Sequence, residues 1–440
     1  MKVSHIATCD LHGGAARAAY RLHSGLRRLG HDSNLFVLEK DSQDRSVIRF
    51  EPPSEKSIRA RRGLRRLLLA LTQKRIEAQR PHGSTSFSGD RSEHSADVLR
   101  QVPPSDILHL HWIAGFTDYS DLISRLPPAV VWTLHDMNPF TGGCHFDGGC
   151  GRYEVRCGAC PQLDSSDTKD FSAQVWQRKN RAVSRVGAKC IHLVTPSRWL
   201  AGEARKSLLL GRFPVTIIPY GIDTDRFQPR DRHVARQVLG LPPEAEIVLF
   251  VAHSVGEKRK GLAQLVEALR QLERHPKLHF LAVGDGAANQ ELGELGKRTT
   301  AMTIGFSDDE RIMSLVYSAA DLFAIPSLQD NLPLAALEAL ACGLPTVGFH
   351  VGGLPDIVRE GQTGSLTQPG DIRALCNTIA ELLQNDERRA SMGQASRRVA
   401  VEEFRLDVQA RRYVSLYENI TRGTSQDRQV LRASQITLGT

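Results

Sequence analysis

Apolar runs of five to seven residues alternate with amphipathic stretches along most of the chain. Lys2 to Ala7 reads as a strand, and LHGGAA at Leu11 to Ala16 leads into a helix with Ala19, Leu22, Leu26 and Leu29 on one face. With the strand at Asn34 to Leu38 this makes a βαβ unit, hence a parallel sheet that receives ligands at the C-terminal ends of its strands. Apolar runs at Asp106 to Trp112, Val130 to Leu134 and Ile191 to Pro196 extend that sheet. Ile247 to Ala252, Leu278 to Val283 and Leu322 to Ile325 predict a second one, with helices at Leu262 to Leu272, Asp309 to Ala319 and Leu334 to Ala341. Thr224 to Glu246 is rich in charge and proline and reads as a linker. The predicted class is therefore α/β, with two Rossmann-like doubly wound domains over 1–225 and 226–405. Residues 406–440 are expected to form a helix returning to the first domain, then a polar tail that frays.

The stretch Ile325 to Gly353, IPSLQDNLPLAALEALACGLPTVGFHVGG, joins a strand end to a helix start that carries carboxylates. A helix beginning at Leu334 directs unpaired backbone N–H groups and a partial positive charge above the strand end, which favours a phosphate. Asp330 precedes that start and Glu338 lies within it, so at about 1.5 Å of rise per residue the two acids stand roughly 10 Å apart. That is too far for a retaining acid and nucleophile pair, which needs about 5 Å. It suits a ligand with hydroxyls at both ends and phosphates between, such as a nucleoside-diphosphate sugar.

Glu338, Ala341, Gly343, Pro345, Gly352 and Gly353 together resemble the donor motif of family 4 of the retaining glycosyltransferases, with QDNLP similar to an exopolysaccharide branch. The family's first Glu is Asp330 here, and Tyr220 replaces the family's Asn in TIIPYGID. The resemblance implies the GT-B fold: two Rossmann-like domains facing a central cleft, acceptor on the first and donor on the second. It implies that His135 lies near the donor sugar, that Lys260 and Arg259 hold the diphosphate, that Asp330 orients the hexose and that Glu338 binds the ribose. Further donor contacts are implied at Gly13, Gly14, Ser254, Gly305, Asn331, Leu332 and Leu334. Ser254 or its neighbour stands where the family has a separate Arg, so Arg259 is expected to carry more of the charge. The implied reaction needs no catalytic metal or protein nucleophile. A nucleotide-sugar epimerase of the same fold, or a non-catalytic nucleotide-sugar binder, remains open.

Composition adjusts this picture at three places. At 440 residues with 41% apolar side chains, the chain has enough core for two domains. It has no apolar run of eighteen residues, and its N-terminal polar break predicts a cytosolic protein. The net charge of +8 is concentrated between Glu55 and Arg80, where nine Lys or Arg face two Glu and Leu64, Leu67, Leu68 and Leu71 fall at helical spacing. That segment either docks on an anionic membrane surface at the inner face or packs on its own domain; no aromatic-interleaved basic motif suggests nucleic acid. Cys144, Cys150, Cys157 and Cys160, four of the eight cysteines, fall within seventeen residues. They would suit a structural Zn2+, or else remain reduced thiols. His109 and His111 on one strand face read as core imidazoles rather than metal ligands.

Overall fold

The computed structural model describes residues 1–437 except 82, 95, 96, 128, 189, 273, 274, 276, 287–291, 294, 296–298 and 306, with the side chains of 97 and 424–437 also left out. Two parallel sheets organise the chain. The first is seven-stranded, β1 (Lys2–Cys9), β2 (Asp32–Glu39), β3 (Val47–Arg49), β4 (Ile107–Leu110), β5 (Val130–Thr133), β6 (Ile191–Thr195) and β7 (Val215–Ile217), in the order β3-β2-β1-β4-β5-β6-β7. The second is six-stranded, β8 (Glu246–Ser254), β9 (Leu278–Asp285), β10 (Thr300–Ile304), β11 (Leu322–Ile325), β12 (Thr346–Phe349) and β13 (Gly364–Thr367), in the order β10-β9-β8-β11-β12-β13. Strand order reverses between β1 and β4 in one sheet and between β8 and β11 in the other, and such reversals open a crevice at the strand ends. The two crevices face each other across the domain interface.

Central strands are buried on both faces, as parallel strands covered by helices must be; β5 and β11 are buried throughout. The helix Gly13–Arg28 buries Ala19, Leu22 and Leu26, and begins at Gly13 with φ +82°, a conformation glycine adopts without a Cβ clash. Gly25 allows the close approach of the last helix, since a methyl there would lie 3.0 Å from the Leu406 carbonyl oxygen. That last helix, Leu406–Thr437, runs back over the first domain, where Tyr413 Oη pairs with Thr133 Oγ1 at 2.8 Å and Tyr417 Oη with His109 Nδ1 at 2.6 Å.

The structure is more specific than the sequence at two charged stretches. The charge-rich stretch read as a linker holds a helix, Arg232–Leu239, packed on the second domain, because Arg236 buries its guanidinium against Asp321 (2.9 Å) and the Ala319 carbonyl (3.0 Å). The charge of Arg236 is paired rather than solvated. The basic segment is a helix, Lys56–Gln79, that buries only Ile76 on its domain. Leu64, Leu67, Leu68 and Leu71 are 61%, 55%, 56% and 56% exposed, so this row of leucines is not a core-packing face. No helix among the described residues is long and apolar enough to cross a membrane.

Candidate functional site

A cavity of about 460 Å3 lies between the two domains, over the ends of β1, β5, β8 and β11. Gly13, Gly14, His135, Arg259, Lys260, Asp330, Asn331, Leu332, Leu334 and Glu338 all line it. Chain direction explains the convergence: each of these residues follows directly on a strand end, or sits in the helix that does. Gly14 closes the cleft from the first domain, with its Cβ direction 4.0 Å from Leu334 Cδ1 of the second.

Asp330 is buried in a cationic seat. Its Oδ2 accepts from Lys260 Nζ at 2.7 Å and from Ser327 Oγ at 3.2 Å, its Oδ1 accepts from the Asn331 amide at 3.1 Å, and Arg259 Nη1 stands 3.4 Å from Oδ1. Burial alone would raise this carboxyl's pKa, but Lys260 and Arg259 outweigh it and hold the group ionised, below the usual carboxylate range. Gly352 and Gly353 make the seat possible. Gly352 is at φ +54°, and a methyl on either glycine would overlap the carbonyl oxygen of Asp330 or Asn331. Arg259 lies over the Phe146 ring, 4.1 Å from its centre, donates to the Gln329 carbonyl at 2.6 Å and pairs with Glu257 at 2.8 Å.

The helix Leu334–Ala341 occupies the range read from sequence and turns its N-terminus into the cleft. Glu338, buried in that helix, faces the first domain. Its Oε1 accepts from Arg21 Nη2 at 2.9 Å, and its Oε2 from Tyr317 Oη at 3.0 Å. Arg21 was not among the expected site residues. It is buried on the helix Gly13–Arg28, and the same Nη2 also reaches Glu310 Oε1 at 2.9 Å, so one guanidinium ties two acids of the second domain to the first. The signal available in sequence was an arginine amid Ala18, Ala19, Leu22 and Gly25, where a helix of this kind buries its side chains. Arg17, one turn earlier, pairs with Asp308 in the same way.

On the other wall His135 Nδ1 pairs with Tyr220 Oη at 2.7 Å, so the tyrosine that replaces the family's Asn is a partner of His135. His135 Nε2 pairs with His111 Nδ1 at 3.1 Å, and His111 Nε2 with His5 Nδ1 at 3.0 Å. Burial pushes the pKa of His135 down to about 4, and those of His5, His109 and His111 well below the ordinary value, so all four are neutral near pH 7. Asn331 spans the cleft, donating to the His135 carbonyl at 2.8 Å and accepting from Ser197 Oγ at 2.6 Å.

Two expected donor contacts lie elsewhere. Ser254 is exposed beyond an irregularity in the pairing of β8 with β9, and His253 takes the lining position. Gly305 is exposed just past β10 and outside the lining; the following Phe306 of the MTIGF motif is outside the described residues. The four cysteines Cys144, Cys150, Cys157 and Cys160 carry no disulfide and line one small cavity near the first domain's edge. Among the described residues only His5, His109 and His111 bring three ligand atoms within 4.8 Å of one another. Their ring nitrogens other than His5 Nε2 are already hydrogen-bonded, to one another, to His135, to Thr133 or to Tyr417. The reading of His109 and His111 as core imidazoles accounts for these bonds. Among the described residues no three of these thiols bring their sulfurs within 4.8 Å of one another.

The family model for glycosyltransferase family 4 matches residues 12–226, and that for glycosyl transferases group 1 matches residues 231–399. The D-inositol 3-phosphate glycosyltransferase of Segniliparus rotundus is 35% identical over 231 residues, covering 50% of this chain and 48% of the relative. A D-inositol 3-phosphate glycosyltransferase 2 of Catenulispora acidiphila is 33% identical over 193 residues, covering 41% of this chain and 45% of the relative. The chain thus aligns with about half the length of these relatives. Sucrose-phosphate synthase of Thermosynechococcus elongatus superposes with a TM-score of 0.64 at 20% identity, covering 96% of this chain and 99% of that one. Anabaena Alr3699/HepE, solved with UDP, gives 0.61 at 18% identity, covering 95% and 100%. Both likenesses concern the fold, which is GT-B.

Proposed function

We propose that this chain, whose two halves belong to glycosyltransferase families, transfers a hexosyl group from a nucleoside-diphosphate sugar to a glycan or lipid-linked acceptor with retention at the anomeric carbon. The observation that carries this reading is the meeting of Lys260, Arg259, Asp330 and the N-terminus of the helix Leu334–Ala341 on one wall of the cleft, opposite Gly13 and Gly14. Cations and unpaired amides in that position neutralise a diphosphate as it departs, and such preorganised groups are worth about 3–4 kcal/mol each in a transition state. Asp330 already accepts from Lys260, Ser327 and the Asn331 amide, which leaves it a poor nucleophile and suits a hydrogen-bonding role toward the hexose. The leaving phosphate then takes the acceptor's proton on the same face. Glu338 would bind the ribose hydroxyls with its remaining lone pairs, Arg21 and Tyr317 fixing its plane.

The reading places the reaction in cell-surface polysaccharide synthesis at the inner face of the membrane. Its support is the helix Lys56–Gln79, whose four exposed leucines are flanked by Arg and Lys side chains, each worth about 1 kcal/mol near an anionic surface. The names of the sequence relatives favour a second acceptor, an inositol phosphate. A thermal-shift screen of UDP-, GDP- and dTDP-sugars identifies the donor, since a ligand of the folded state raises its stability by mass action. Incubation of that donor with glycan, glycolipid and D-inositol phosphate acceptors, followed by NMR of the product anomer, tests transfer and retention. Epimerised donor in the absence of any acceptor, or an inverted product, refutes the proposal.

A further inference from the structure

Cys144, Cys150, Cys157 and Cys160 surround a cavity of about 20 Å3, large enough for one small sphere, since a water needs about 10–15 Å3. The turn between Cys157 and Cys160 brings both residues to it: Gly158 lies at φ +148° and Ala159 at φ +44°, and Arg152 donates to the carbonyls of both. Among the described residues Ala159 is one of two non-glycine residues with positive φ, a conformation that persists where its surroundings over-determine it. The Gly142 amide donates to Cys157 Sγ at 3.2 Å, a bond that a thiolate accepts better than a thiol.

The charges around the cluster point the same way. Lys179 is buried, donating to the carbonyls of Asn138 at 2.5 Å and Thr141 at 3.2 Å and lying 4.8 Å from the centre of the Tyr119 ring. Arg80 lies over the Phe87 ring and buries its Nε without an acceptor. Among the described residues neither cation is ion-paired with a carboxylate; Asp90, the acid that acts most on Lys179, is held by Arg178 at 2.6 and 2.9 Å. Thiolates at Cys157 and Cys144 would meet the charge of Lys179, and thiolates at Cys160 and Cys144 that of Arg80. Zn2+ bound by four cysteines releases their protons and leaves two negative charges, one for each cation. Ligation at about 2.3 Å would draw the sulfurs inward around the cavity.

Spacing tells what such a centre is for. Five residues, 145–149, separate Cys144 from Cys150, and this tip crosses to the second domain. Phe146 stacks on Trp199 of the first domain, ring centres 6.2 Å apart, and carries Arg259 of the second at 4.1 Å. Asp147 Oδ1 accepts from Gln329 Nε2 at 2.8 Å and the Gly148 amide donates to Gln329 Oε1 at 3.1 Å, so both ends of one side-chain amide are gripped. Gln329 precedes Asp330, and its own carbonyl accepts from Arg259. At the base of the tip, His145 pairs through Nε2 with Ser88 Oγ at 2.9 Å and through Nδ1 with Asp136 Oδ2 at 3.0 Å.

We propose that the four cysteines hold a Zn2+ that latches the two domains together: with both ends of the tip tied to the metal, Phe146, Asp147 and Gly148 are held against Arg259 and Gln329 and fix that edge of the cleft. Lys179 and Arg80 are the counter-charges of the centre, and Phe146, Asp147 and Gln329 are positioning residues. The effect on the donor rests on the glycosyltransferase reading, whereas the metal and the latch do not, so the two can fail separately.

The test uses the full chain, cobalt as a spectroscopic stand-in for zinc, and hydrogen exchange by mass spectrometry on the peptide covering residues 145–149. Reduced wild type should take up about one Co2+ with the visible bands of a tetrahedral tetrathiolate, and Cys150→Ser should lose them. Arg80→Met should weaken cobalt about tenfold in competition with a chelator. Metal removal, Cys150→Ser and Gln329→Ala should each speed exchange of the tip about tenfold, because each frees the Gly148 amide. Gln329→Ala should keep the cobalt spectrum while doing so, a split that general loosening of the first domain does not produce. Any nucleotide sugar that stabilises wild type should bind about tenfold more weakly to the metal-free protein and to Gln329→Ala, with little further loss when the two are combined. A reduced wild type without tetrathiolate bands overturns the metal site, and tip exchange indifferent to metal and to Gln329→Ala overturns the latch. Tip exchange that follows the metal, with no response to any nucleotide sugar, upholds the latch and removes the donor reading instead.

Discussion

Acidification should unfold the first domain well above the pH at which its carboxylates titrate, because of its buried imidazoles. His5, His23, His109, His111 and His135 are all buried in it. Burial lowers each folded-state pKa, to about 4 for His23 and His135 and well below 6.5 for the other three. The unfolded chain therefore binds more protons than the folded one below about pH 6.5, and stability falls as pH falls through that window. It is fully present above 6.5. Each histidine with a folded value near 4 loses about 2 kcal/mol between pH 7 and pH 5, at about 1.4 kcal/mol per unit. Two such groups remove about 4 kcal/mol, against a total domain stability of about 5–15 kcal/mol, and His5, His109 and His111 add to the loss in the same direction. The depressed carboxylates Asp136, Asp223 and Asp330 work lower down, stabilising above the ordinary carboxylate pKa and failing only as pH drops through their folded values. Trp112, Trp132, Trp176 and Trp199 are the chain's only tryptophans and all lie in the first domain, so intrinsic fluorescence during urea titration reports that domain alone. The midpoint should fall steeply between pH 6.5 and 5. A loss below about 1 kcal/mol across that interval would refute the placement of neutral histidines in the core.

Three further outcomes follow from the site and its surroundings. Arg21→Met removes the bridge to Glu338 and Glu310 and should lower kcat/KM about 100-fold, roughly 2.7 kcal/mol, with added guanidinium restoring part of it; a change under threefold would mean that the bridge is ornamental. The helix Lys56–Gln79 should carry the protein to the top of a flotation gradient with vesicles of anionic phosphatidylglycerol but not of phosphatidylcholine, and glutamine at Leu64, Leu67, Leu68 and Leu71 should abolish this. Equal flotation of both proteins would refute membrane docking through that face. The loop bearing Cys144, Cys150, Cys157 and Cys160 is expected to hold about one structural zinc per chain by elemental analysis, its chelation lowering Tm; metal below a tenth of an equivalent with unchanged Tm would assign four reduced thiols.

What sequence revealed and what it concealed divide along physical lines. The helix Leu334–Ala341 was legible because strong helix formers, Pro333 before them and Gly343 after them agree on one conformation. Lys260, Asp330 and the double glycine were legible as a spaced pattern, and the fold brings them to one wall. Residues whose part depends on a partner dozens to hundreds of positions away were not. Arg21 finds Glu338 only through domain packing; its place on the buried face of its helix was readable, but the acids it meets there were not. Ser88 reaches His145 because residues around Phe87 and Cys144 form an isolated antiparallel bridge, a pairing without periodicity to read. The helix Arg232–Leu239 was hidden by its charge, since Arg236 looks solvated until Asp321 is brought beside it. The leucines of the basic helix had the right period for a core face, but period alone does not say which side of a helix meets the domain.

Isothermal titration of the donor identified by the nucleotide-sugar screen, into wild type, Lys260→Ala and Glu338→Ala, addresses the central claim most directly. A diphosphate held by Lys260 and the helix N-terminus, with a ribose held by Glu338, predicts at least 30-fold weaker binding in each variant, about 2 kcal/mol, with the far-UV spectrum unchanged. Donor affinity within threefold of wild type in both variants would contradict it.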